Sequence, residues 1–152
     1  MSLSTDFRLQ PVLNYKSQMV DALEMEFARL KQAYQREQTL LDNLLQTAEK
    51  EMQALTERQV GPLDCAEIQL RQDYLLGLHE TVHEQTGRVA QAEQRMGSKR
   101  EELVDTLQDQ KALEKLREHH QAQLRKELER KESRVVDDLV TARFVRGGGC
   151  HA

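Results

Sequence analysis

Leu13, Val20, Phe27, Tyr34, Leu41, Ala48 and Leu55 recur at every seventh residue, and all seven are apolar. A second set three residues further on holds Leu23, Leu30 and Leu44, interrupted by Lys16, Glu37 and Glu51. A spacing of three and four kept over this length favours a coiled-coil helix over the wider apolar stripe of a globular-domain helix. The repeat stops once, at Val60-Gly61-Pro62-Leu63-Asp64. Gly61 can take the positive φ that closes a helix, and Pro62 has no N–H and disfavours α geometry at the residue before it. Asp64-Cys65-Ala66-Glu67 then reads as a capping box that opens a second helix.

Beyond the break the same spacing resumes in Leu75, Leu78, Val82, Val89, Ala92, Met96 and Leu103, with Gln85 and Lys99 as polar members. A chain that folds back at residues 61 and 62 pairs positions whose numbers sum to about 123. That rule sets Ala48 against Leu75, Leu41 against Val82, Tyr34 against Val89, Phe27 against Met96 and Val20 against Leu103. The expected fold is therefore all-α, two long helices in an antiparallel coiled-coil hairpin. It forms one domain over residues 1–152, with helices about 10–59 and 64–145, a bend at 60–63 and a flexible tail at 146–152. Pro11 is tolerated only in a first helical turn, which places the start of order near Gln10.

At about 1.5 Å of rise per residue, the first arm spans roughly 70 Å and the second roughly 120 Å, so the second is expected to project. From about Lys111 its apolar residues, Leu113, Leu116, His120, Leu124, Leu128, Val135, Leu139 and Ala142, drift towards four-residue steps, as a stutter does. Net charge changes there from −5 over residues 60–110 to +3 over residues 111–152. Gly77, Gly87 and Gly97 each cost about 1 kcal/mol against Ala in a helix interior, and Gly97-Ser98 is the best candidate for a kink. Gly147-Gly148-Gly149 is expected to end helical order.

Composition narrows the function classes. Only 4% of the 152 residues are aromatic and 32% are charged, too little large apolar surface for a thick core and too regular a pattern for disorder. No run has the length to span a bilayer and the opening residues lack a signal-peptide block, which points to the cytosol. Cys65 and Cys150 read as reduced thiols. The adjacent Cys150-His151 alone does not make a metal site.

His79-Glu80-Thr81-Val82-His83 spells H-E-x-x-H, in which two His one turn apart bind zinc and Glu activates water. A zinc hydrolase also needs a third ligand and a walled cleft. The extended motif would want Gly and His where Thr86 and Val89 stand, and Glu102 is roughly 28 Å from His83 along a straight helix. His119-His120 reads as part of a helical seam or its flank. No phosphate loop, Cys-x-x-Cys pair or Ser, His and Asp triad is present. The expectation is a protein with no enzymatic activity, catalytic residue, metal or cofactor. Seven acids interleave the ten bases of residues 111–152 without aromatic stacking residues, which argues against nucleic acid as a partner.

Phe7-Arg8-Leu9-Gln10-Pro11-Val12-Leu13-Asn14-Tyr15-Lys16 resembles the opening of the FliJ family of flagellar type III export stalk proteins. Lys111-Ala112-Leu113-Glu114-Lys115-Leu116-Arg117-Glu118-His119-His120 and Glu132-Ser133-Arg134-Val135-Val136-Asp137-Asp138-Leu139 resemble its second signature, and the likeness covers about residues 7–143. The resemblance implies a two-helix stalk, similar to the central stalk of rotary ATPases, that enters the hexameric export ATPase ring. It also implies contact with the membrane export gate, binding of export chaperones, and a place at the inner face of the cell membrane. On it, Val135, Val136, Leu139 and Arg143 are the expected ring contacts. Tyr74, Leu78, Thr81 and Gln85 are the expected gate contacts, although Thr81 and Gln85 depart from the apolar and His character of that site. The alternative is a structural or oligomerising coiled coil, or the stalk of a related injection-type secretion system or another rotary ATPase.

Overall fold

The computed structural model describes residues 5–62 and 64–148. It contains two helices, α1 over Gln10–Arg58 and α2 over Cys65–Gly148, packed against each other as an all-α hairpin. Helix α1 opens with Gln10 N–H donating to the Phe7 carbonyl at 3.1 Å, and Pro11 sits in its first turn, where no donor is missed. Helix α2 runs unbroken through Gly77, Gly87 and Gly97 and reaches Gly148, the last described residue, beyond the expected end at about 145. Cys150, His151 and the last part of the expected tail lie outside the described residues.

Gly61 has φ +112°, which lets the chain leave α1 where Pro62 stands next. The Asp64 side chain accepts from Ala66 N–H at 3.2 Å and from Glu67 N–H at 3.5 Å, capping α2. Glu67 does not complete the reciprocal half of the expected box. Its carboxylate instead pairs with Arg58, the last residue of α1, and with Arg71 at 3.6 Å. Two guanidinium groups offer charge-assisted bonds that outweigh one backbone N–H.

Contacts divide the chain into two units, residues 20–105 and residues 1–19 with 106–152. In the first, Ala48, Leu75 and Leu78 form the most enclosed cluster, with Leu44 and Leu55 against it. Glu51 pairs with Arg71 at 3.5 Å, and Gln85, only 5% exposed, donates to the Glu37 backbone carbonyl at 3.0 Å and to its carboxylate. Each of these pairings falls on the register read from the sequence. The polar seam positions thus face one another, and a buried polar group costs little once it is bonded.

Lys99 occupies a seam position and reaches Glu26 at 3.0 Å and Glu102 at 2.8 Å. The hydrogen bond and charge of Lys99 lower the Glu26 pKa below its ordinary 4.5, and bonds to Glu102 and Glu26 raise that of Lys99 above 10.5. A lowered carboxylate contributes stability that is present above its unfolded value and is lost as pH falls through the folded one. Comparing Glu26→Gln with the parent in urea should therefore show a small stability difference at neutral pH that fades as pH falls below the ordinary carboxylate value and through the lowered Glu26 one. A difference that persisted there would remove the ion pair as its source.

In the second unit Leu13 is 3% exposed and Thr106 is also buried. Lys16 pairs with Asp109 at 3.1 Å, Gln110 donates to Ser17 Oγ at 2.9 Å, and the Phe7 and His120 rings lie 5.8 Å apart, tilted by 47°. The stutter is not seen. The strict spacing of three and four continues through Thr106, Gln110, Leu113, Arg117, His120, Leu124 and Glu127, all at least half-buried, while Leu116 and Leu128 are exposed. Helix geometry keeps the seam on its line, and polar side chains occupy it where apolar ones fall outside.

Candidate interaction surface

After Glu127 every described residue of α2 up to Gly147 is exposed. That stretch carries Leu128, Val135, Val136, Leu139, Val140, Phe144 and Val145, all with more than half their surface open and Phe144 with 81%. Steps of three to five residues link Val135 and Val136 to Leu139 and Val140, and these two to Phe144, along one broad side of the helix. Arg143 is exposed beside them. Scattered apolar residues need no explanation, but a group gathered in this way is a candidate binding surface. The sequence reading named Val135, Val136, Leu139 and Arg143 and missed Val140, Phe144 and Val145. The run Val136, Val140, Phe144 at four-residue steps was the available signal, obscured because it departs from the heptad.

The four residues expected to meet the gate are split by the fold. Leu78 and Gln85 are buried in the seam, Leu78 within the Ala48–Leu75 cluster and Gln85 against Glu37. Tyr74 and Thr81 are exposed, and the Thr81 hydroxyl donates back to the Gly77 carbonyl at 3.0 Å. Tyr74 and the exposed Leu70, one turn earlier, line a shallow open groove with Glu51, Glu67, Arg71 and Asp73. Sequence spacing put all four on one side of α2, and that side proves to straddle the edge between seam and surface.

His79 and His83 are both exposed, each directly after a seam residue. Among the described residues no three His, Cys, Asp or Glu groups are gathered as metal ligands. Among the described residues no helix is long and apolar enough to cross a membrane. Cys65 is a free, exposed thiol.

A thin-seamed two-helix hairpin defines an all-α coiled-coil protein, and the exposed apolar group at the end of α2 is its candidate interaction surface. The family model described as flagellar FliJ protein matches residues 5–149, nearly the whole chain, and the chain belongs to that family. It is accordingly a flagellar export-related protein of a structural family. No curated protein and no solved structure matches it.

Proposed function

We propose that the chain acts as a coiled-coil stalk of the flagellar export apparatus, binding the hexameric export ATPase through the end of α2 and the export gate through the face beside the bend. The observation that carries this reading is the apolar stripe Val135, Val136, Leu139, Val140 and Phe144, which nothing in the chain covers among the described residues. The stripe, flanked by Arg143 and Arg146, suits a partner surface of apolar and acidic character. By promoting ATPase assembly the stalk would couple nucleotide turnover to delivery of substrates and their chaperones, at the inner face of the membrane. Delivery of chaperones rests on the family alone. Adding the full chain to purified export ATPase and following hexamer formation and ATP turnover tests the proposal, which fails if neither changes.

The gate contact is centred on Tyr74 and Thr81, with Leu70 beside them, while Leu78 and Gln85 hold that side of α2 in place from within the seam. Tyr74→Ala removes an exposed ring and buries nothing, so its melting temperature should match the parent's. Its affinity for the cytosolic part of the gate should fall about tenfold or more, as loss of an aromatic anchor does. Undiminished capture in a pull-down would eliminate Tyr74 as an anchor.

A further inference from the structure

We propose that His79 and His83 form a binding site for a divalent transition cation of the zinc class, without hydrolytic chemistry. The hydrolase reading of this stretch failed for want of a third ligand and a cleft, but binding requires neither. The two residues lie four apart on an unbroken helix, a spacing that sets both imidazoles on one side, one turn apart. Both are exposed. Neither makes a hydrogen bond or ion pair with any described residue, so their ring nitrogens are not already spent.

The surroundings hold the pair ready. Leu78, buried in the seam, and Val82, partly buried there, precede the two His and hold the backbone that carries the rings. The hydroxyls of Thr81 and Thr86 turn back to the carbonyls of Gly77 and Val82 at 3.0 and 2.8 Å and leave the imidazoles uncontested. One turn beyond His83 stands Gly87, with nothing within 4 Å of where a Cβ would be. The glycine places no side chain over the turn that carries His83. Glu80 and Glu84, both exposed, flank the pair and add negative charge that favours a cation.

Because no third protein group is gathered among the described residues, the remaining coordination positions are open to water or to a ligand from another molecule. A cation held by both rings also ties one turn of α2 to the next in a stretch that carries Gly77 and Gly87, and so stabilises the helix where its propensity is weakest.

Calorimetric titration of the untagged full chain with zinc chloride tests this. One zinc per chain is expected at the pair. His79→Asn and His83→Asn should each weaken that event at least about tenfold, since each removes half the ligands. The double variant His119→Asn/His120→Asn should bind as the parent does. Zinc should raise the melting temperature of the parent and of the 119/120 variant, and leave both single variants unmoved. Absence of binding by the parent overturns the proposal. So does binding that either single substitution leaves undiminished, or binding lost with His119 and His120 instead.

Discussion

Leu139→Asp combined with Phe144→Asp should abolish stimulation of the export ATPase while leaving the hairpin folded. Both side chains are exposed in the described structure, Phe144 almost fully, so replacing them removes no internal packing. The direct cost to folding is confined to helix propensity, about 0.5 kcal/mol per site. If the stripe seats in the ring, two central apolar anchors become buried carboxylates, and affinity should fall about 30-fold or more, the scale of a hot-spot loss of about 2 kcal/mol. The check is ATP turnover at increasing chain concentration, beside far-UV circular dichroism of the same preparation. Full stimulation by a folded double variant would mean that the ring grips some other surface.

The second large effect lies in the seam. Leu78→Ala removes a buried side chain from the cluster with Ala48 and Leu75, and should cost about 2 kcal/mol, near the lower end for core leucines because a two-helix seam can partly collapse. Leu116→Ala, at a position 50% exposed, should change stability by no more than about 0.5 kcal/mol. The contrast is informative because both leucines look alike in sequence. Urea unfolding of the two variants measures it, and equal losses would place Leu116 in the seam after all.

Leu78 and Leu116 also show where the sequence was readable. Around the break, glycine and proline impose backbone conformations that admit few alternatives, and Gly61 takes the positive φ that its place before Pro62 suggests. Seam positions from Leu13 to Leu55 and from Leu75 to Leu103 were legible because apolar residues recur with a helical period and both arms obey one register. Past residue 105 that logic weakens. Thr106, Arg117 and Glu127 occupy the seam although they are polar, while Leu116 and Leu128 lie outside it. Long side chains such as those of Arg and Glu can bury their stems and keep charge in water, so hydropathy alone misassigns them.

The candidate surfaces were legible only in part, for a related reason. At the α2 end the sequence singled out Val135, Val136 and Leu139, which the structure leaves exposed, and Phe144 and Val140, exposed on the same side, follow the four-residue step without having been included. Near the bend the difficulty was depth rather than direction. Tyr74, Leu78, Thr81 and Gln85 share a side of the helix, but which of them water can reach depends on where α1 lies, and spacing within one helix carries no such information.

Lys16, Glu37 and Glu51, which sit in the α1 seam and meet Asp109, Gln85 and Arg71, bear on how the chain comes together as it is made. Helix α1 leaves the ribosome first and must wait for its partner. Two nascent copies side by side in the same direction would set Lys16 on Lys16, Glu37 on Glu37 and Glu51 on Glu51, each a like-charge clash in an apolar line. Neighbouring chains on one polysome are thereby discouraged from zipping together before their own second arms emerge.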